Sequence, residues 1–335
     1  MKPISKLTRQ VGQLFIIGFP GETPSAVFLN FVKEEGIGGV ILFEENFPTH
    51  LQARENIDRI KALFGSAPPF IAVDQEGGRV CRLRGSPAEF SSAAEYGRMN
   101  DIERFREEYY RSAVYMESLG INLNLAPVAD IRSEKENSCL DGRCFGETPE
   151  KVAEFVRASV EVSRSAGLLS CLKHFPGMGA AAVDPHKGTA EVDHDGMIWQ
   201  QREKLPFEVG VKAGADLLMT THLAMTDFDR QIATGSRKIV DELARSDLFF
   251  DGPIVTDDLL MEGASTLGNY GERAVAAFNA GHDLLLFGQD CEEAMQAYDY
   301  FVEACHRGEV DAKRLKVALD RVAGVKYKLG RSVVG

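Results

Sequence analysis

The stretch P-E-K-V-A-E-F-V-R-A-S-V-E-V-S-R-S-A-G-L-L-S-C-L-K-H, residues 149–174, holds one full unit of the pattern that decides the fold. Residues 149–166 carry apolar side chains at helical period, and Gly167 follows where a left-handed residue closes a helix. Residues 169–174 then form a short apolar run of strand length that ends on a cation and an imidazole. Outward from this unit the alternation continues to both ends of the chain. Candidate strands fall at 14–19, 39–43, 70–74, 122–127, 169–174, 216–220, 253–256 and 283–287. Helical candidates fall at 49–63, 102–119, 149–166, 199–213, 237–245, 272–280, 291–305 and 312–328, with Gly120, Gly214 and Gly281 also closely following helices. This alternation predicts a parallel α/β architecture. A closed (β/α)8 barrel and an open doubly wound sheet give the same one-dimensional pattern, which alone leaves that choice open.

The bulk properties narrow the partners. With 335 residues, 44% hydrophobic and 26% charged, the chain is long enough for a large core and too apolar in its periodic segments for disorder. A formal charge of −12, with no Lys/Arg stripe to override it locally, argues against nucleic acid and anionic membrane surfaces as partners. Cys81, Cys139, Cys144, Cys171, Cys291 and Cys305 are dispersed without a C-x-x-C pair, as in a reduced cytoplasmic protein. The apolar run at 14–19 follows Lys2, Lys6 and Arg9 but is too short for a signal peptide and lacks a cleavage site. No segment approaches the roughly 20 apolar residues of a membrane span. These readings predict a cytoplasmic location.

Two stretches break the rhythm, 76–98 after the third strand and 175–195 after the fifth. The second is rich in Gly, Ala, Pro, Asp and His and reads as a functional lid. Polar residues gather at the carboxyl ends of strands: Asp74 and Glu76, Asp130, Lys173 and His174, His222, Asp257 and Asp258. In a barrel they share one rim. Capping explains any one of them, but not five strands ending this way.

In V-T-D-D-L-L-M at 255–261, Asp257 directly follows a buried run, a placement that suits a rigidly held nucleophile. Asp257 or Asp258 as a mere helix cap is the plain alternative. In K-H-F-P-G at 173–177, Lys173 and His174 are candidate donors to sugar hydroxyls. A lysine there is hard to bury unless a ligand or carboxylate receives it. In D-P-H at 184–186, Asp184 can fix the tautomer of His186 and raise its pKa, making it a proton donor. In D-Q-E-G-G-R-V-C-R at 74–82, two glycines permit a sharp turn that brings Asp74, Arg79 and Arg82 to the rim as binders of hydroxyls or a carboxylate. A metal-dependent hydrolase built on His174, His186, His222 and Asp257 is the rival reading, disfavoured by the lack of H-E-x-x-H and of H-x-H after the first strand. No metal is predicted.

Taken together, D-Q-E-G-G-R-V-x-R, G-I-N-L-N-L-A-P-V-A-D, R-x-F-G at 143–146, K-H-F-P-G, the lid D-x-H and T-D-D-L-x-M resemble glycoside hydrolase family 3, in family order along nearly the whole chain. The resemblance is to the single-domain bacterial β-N-acetylglucosaminidases that recycle peptidoglycan. It implies one TIM-type (β/α)8 barrel domain over 1–335, a lid after strand five, and no cofactor. It implies Asp257 as nucleophile, His186 with Asp184 as general acid and then base, and Asp74, Arg82, Arg143, Lys173 and His174 as binders of a terminal N-acetylglucosamine. Asp130 and His222 fall in family motifs as further binding candidates. The implied reaction is retaining hydrolysis of a β-linked N-acetylglucosaminide through a glycosyl-Asp257 intermediate. Phosphorolysis, β-glucosidase activity and non-catalytic sugar binding remain as alternatives. Met178 stands where the family usually has His, and Pro185 where it usually has Ser or Thr.

Overall fold

Short apolar runs build the sheet because a strand covered on both faces needs apolar residues at every position. The computed structural model describes residues 10–65, 68–133, 137–181, 190–192, 196–226 and 228–331. Its strands are β1 (Phe15–Ile17), β2 (Gly39–Leu42), β3 (Phe70–Val73), β4 (Leu123–Asn124), β5 (Leu169–Phe175), β6 (Ala190–Val192), β7 (Leu217–Thr220), β8 (Leu223–Met225), β9 (Ile254–Thr256) and β10 (Leu285–Phe287). Eight of them form one parallel sheet in the order β10-β1-β2-β3-β4-β5-β7-β9, and β6 pairs with β8 separately. The edge strands β9 and β10 meet through a parallel bridge, Val255 to Leu284, so the sheet is a nearly closed barrel. The open alternative is thereby set aside.

Helices cover the barrel, and their ends follow local chemistry. Ser25, Thr49, Asp101 and Thr148 each accept a backbone N–H at a helix start, and Asn269 with Glu272 forms a capping box. Gly120, Gly167, Gly214 and Gly281 all take positive φ behind their helices, as expected. The helix Pro149–Ser165 buries Val152, Phe155, Val156 and Val160 and packs on Lys204–Ala213. Each such side chain removed from water contributes roughly 1.5–3 kcal/mol. Helices outside the expected segments include Ala26–Glu35 and Ala93–Met99, the second overlapping the stretch 76–98 that breaks the rhythm. Trp199–Glu203 has π-helical bonding within the predicted segment 199–213, and Ile239–Asp247 has it across the predicted segment 237–245 and two residues beyond.

The parallel arrangement sets every strand's carboxyl end on one rim. Asp74 follows β3, Lys173 and His174 lie near the end of β5, and Asp257 follows β9. At the opposite end, Arg314 and Lys326 of the last helix, Ala312–Arg331, donate to His282 O and Gly38 O. Among the described residues, no helix is long and apolar enough to cross a membrane.

Candidate active site

The site begins at the turn after β3. Gly77 and Gly78 have φ of 87° and 58°, and a Cβ at either would come within 2.5 Å of Ser91 or Ser92. Glycine alone fits there. Gln75 pins the loop from inside: its Nε2 donates to Ala88 O (2.7 Å) and its Oε1 accepts from Arg82 N (2.8 Å). These bonds present Asp74 and Glu76 to the barrel mouth.

Glu76, a rim carboxylate given no role by the sequence, sits at the centre of an ion network. Arg143 donates to its two oxygens at 2.7 and 2.8 Å, and Lys173 Nζ lies 2.6 Å from Oε1. Lys173 also donates to Asp74 Oδ1 at 2.6 Å. Burial would raise the pKa of Glu76, but Arg143 and Lys173 outweigh it and hold the carboxyl far below its usual range. Burial likewise opposes the charge on Lys173, and Asp74 and Glu76 raise its pKa above the ordinary value. Two carboxylates therefore receive the buried lysine. Arg82 approaches Asp74 at 3.6 Å and lies over the Phe43 ring.

His174 is oriented by Asp130, whose Oδ2 stands 2.7 Å from its Nδ1 and accepts its backbone N–H at 3.2 Å. The other Asp130 oxygen accepts Met178 N at 2.8 Å, tying the next turn to the same carboxylate. Arg143 Nη2 reaches His174 Nε2 at 3.1 Å. Gly177, with φ of 115°, closes that turn, and a Cβ there would come 2.9 Å from Glu203 Oε2.

Asp257 N donates to Thr220 O (3.1 Å) in line with the β7–β9 ladder, and its Oδ1 accepts Asp258 N at 2.8 Å. Burial alone would push its carboxyl up, but the neighbouring imidazoles, the Asp258 N–H and Lys173 hold it below the ordinary value. Asp258 plays the plainer part: Oδ1 accepts the backbone N–H groups of Leu260 and Gly288, both at 2.9 Å. Burial pushes Asp258 up to about 6.

These groups surround a cavity of about 440 Å³, lined by Asp74, Glu76, Arg82, Arg143, Lys173, His174 and Asp257, with Arg79, Met178 and Met261 also contributing. Asp74, Glu76 and Asp141 are ion-paired, and among the described residues Asp257 is the lining carboxylate outside any ion pair. Asp130 and His222, expected as binders, have no solvent exposure and do not line the cavity. Asp130 contacts His174 and Met178, and His222 contacts Thr234 and Asp258, behind the side chains that line the cavity. Asp184 and His186 lie outside the described residues, as do Pro185 and most of the predicted lid.

A nearly closed parallel barrel with an ionised carboxylate facing hydrogen-bonding charges at its carboxyl rim defines a TIM-type barrel with a polar, ligand-sized rim pocket. Residues 6–325 match the glycosyl hydrolase family 3 N terminal domain, and the chain belongs to that family. It is similar to "Beta-hexosaminidase A" of Pseudoalteromonas piscicida, 34% identical over 334 residues, covering 90% of this chain and 55% of the relative. A family 3 β-N-acetylglucosaminidase structure from Paenibacillus sp. str. FPU-7 superposes with a TM-score of 0.94 at 30% identity, over 99% of this chain and 64% of that one. A β-N-acetylhexosaminidase structure from Beutenbergia cavernae gives 0.88 at 28% identity, over 96% and 99%. The chain thus spans about half the length of the Pseudoalteromonas relative and nearly all of the Beutenbergia one.

Proposed function

We propose that this chain is a retaining exo-β-N-acetylglucosaminidase that releases terminal N-acetylglucosamine from β-linked glycans, peptidoglycan fragments among them. Asp257 carries the proposal: it is ionised, rigidly held, and free of an ion pair among the described residues at the floor of a cavity of monosaccharide scale. It attacks the anomeric carbon while His186, oriented by Asp184, protonates the leaving oxygen. The glycosyl ester is then hydrolysed with His186 as base. Asp74, Arg82, Arg143, Lys173 and His174 hold the sugar, with Asp130 supporting His174. Six free cysteines fit a reducing compartment, and the cytoplasm is part of the same reading.

Paired aryl β-glycosides test the substrate. Turnover of the N-acetylglucosaminide well above that of the glucoside is expected, with the β-anomer as the first product; an α-anomer first, or preference for the glucoside, overturns it. A sugar 1-phosphate formed in phosphate buffer would replace hydrolysis with phosphorolysis.

A further inference from the structure

Thr220, Thr221, Thr234 and Thr256 gather where β7 and β9 end, and three of them bond their hydroxyls to the protein. Thr220 Oγ1 lies 2.8 Å from His282 Nε2, Thr234 Oγ1 lies 2.8 Å from His222 Nδ1, and Thr256 Oγ1 accepts Leu286 N at 3.0 Å. Thr221 is the exception. Its backbone is fixed on both sides, with N donating to Phe175 O at 2.9 Å and O standing 3.1 Å from the Thr234 hydroxyl. Its own hydroxyl has no hydrogen-bond partner among the described residues. The residue is 1% exposed, yet it lines the cavity, and its hydroxyl is not among the atoms sealed inside the protein without a partner. A β-branched side chain on so constrained a backbone has little freedom to turn elsewhere.

Strand register shows what that hydroxyl stands beside. β7 and β9 pair in parallel with Thr220 opposite Thr256, and Asp257 N donates to Thr220 O at 3.1 Å. The next pair along is Thr221 and Asp257, on strands about 4.8 Å apart. Alternation sorts the side chains from there. Thr221 and Asp257 both line the cavity, whereas His222 and Asp258, one position on, do not line it and bond to protein groups. In the sheet β7 also lies between β9 and β5, so Thr221 stands between Asp257 and the Lys173–His174 pair.

We propose that Thr221 is a specificity-determining residue whose hydroxyl hydrogen-bonds the acetamido group on the second carbon of the sugar. A pyranose seated with its anomeric carbon at Asp257 and its other hydroxyls toward Lys173 and His174 brings the carbon next to the anomeric centre over β7. A hydroxyl suits an acetamido group, because it can donate to the carbonyl or accept from the N–H. Bonds at this carbon also strengthen as the oxocarbenium-like transition state forms. A substrate lacking the group would leave the Thr221 hydroxyl without a partner in a closed site, which is how a polar contact discriminates. The inference rests on Asp257 as nucleophile and on an N-acetylglucosaminide as substrate.

Two measurements test it. On an aryl β-N-acetylglucosaminide, Thr221→Val should lower kcat/KM by about tenfold, and Thr221→Ser, which keeps the hydroxyl, should recover most of that loss. A crystal structure of the wild-type enzyme with N-acetylglucosamine should place Thr221 Oγ1 within hydrogen-bonding distance of the acetamido nitrogen or oxygen. A folded Val variant with unchanged kcat/KM overturns the proposal, as does a bound sugar whose acetamido group lies away from Thr221. Wild-type enzyme that neither turns over the glycoside nor binds N-acetylglucosamine sinks the proposed function itself, whereas wild-type turnover with an indifferent Thr221→Val variant sinks only the role of Thr221.

Discussion

At the carboxyl end of the barrel, Lys173 lies between Asp74 and Glu76 while Arg143 grips Glu76 with two nitrogens. At the amino end, the fully buried Asp283 is held by Arg245 at 2.6 Å, Arg314 at 2.9 Å and Arg321 at 3.4 Å, and also accepts Ile254 N. Nearby, Lys326 donates to Gln13 Oε1 and Gly38 O. The chemistry is the same and the setting is not. The lower network ties the last helix to the strands around a carboxylate with no exposure. The upper one opens on a cavity and borders Asp257, which has no ion pair among the described residues. Buried charge serves cohesion where it is enclosed, and function where one member is left facing a void.

Removing a charge at each end should separate those roles. Asp257→Asn is expected to lower kcat on the order of ten-thousandfold, as loss of a nucleophile does, with the melting temperature unchanged or raised. Asp283→Asn is expected to cost about 3–5 kcal/mol of stability in denaturant titration, because three arginines lose their buried partner. Its kcat should stay near that of the wild type. Equal kcat losses in the two variants would break the division between the ends.

Glu203 sharpens the division further. It lies fully buried against Gly177, at the turn after Lys173 and His174, and pairs with Arg202 at 2.6 Å. Burial raises its pKa from 4.5 to about 7. Between those values the unfolded chain has released a proton that the folded chain keeps, so stability falls as pH rises through this window and levels off above it. Glu203→Gln should remove that slope. The variant's advantage in melting temperature is expected to grow from pH 4.5 to 7; an advantage that shrinks with pH would contradict the assignment.

Much of the upper site is legible in sequence because strand ends are local features. The apolar runs before Asp74, Lys173 and Asp257 mark three walls of one pocket before any pairing is known. What stays hidden is contact between distant residues. Glu76 and Arg143 are 67 positions apart, and nothing in D-Q-E-G-G-R says which cation the glutamate meets. Asp130 and His222 carry rim-like motifs yet turn inward, because burial depth at a strand end depends on which neighbouring loop covers it. The helix Ala93–Met99 was hidden by the glycine-rich segment before it, although Ser92 caps its start. Pairing of β6 with β8 joins segments some thirty residues apart, with the helix Lys204–Ala213 and strand β7 between them.

The smallest effect expected tests whether position at the amino end is enough to make a charge matter. Lys328 Nζ lies 2.7 Å from Asp216 Oδ1, close to the Asp283 cluster in sequence terms through the same last helix, but its side chain is 59% exposed. Water already solvates most of that ammonium, and salt screens the pair. Asp216 keeps a second bond from Ser170 N at 3.1 Å when the lysine is gone. Lys328→Ala should therefore cost only about 0–1 kcal/mol, less still in high salt, with kcat unaltered. A loss comparable to that of Asp283→Asn would mean that the helix attachment, rather than burial of the charge, sets the energetics of this end.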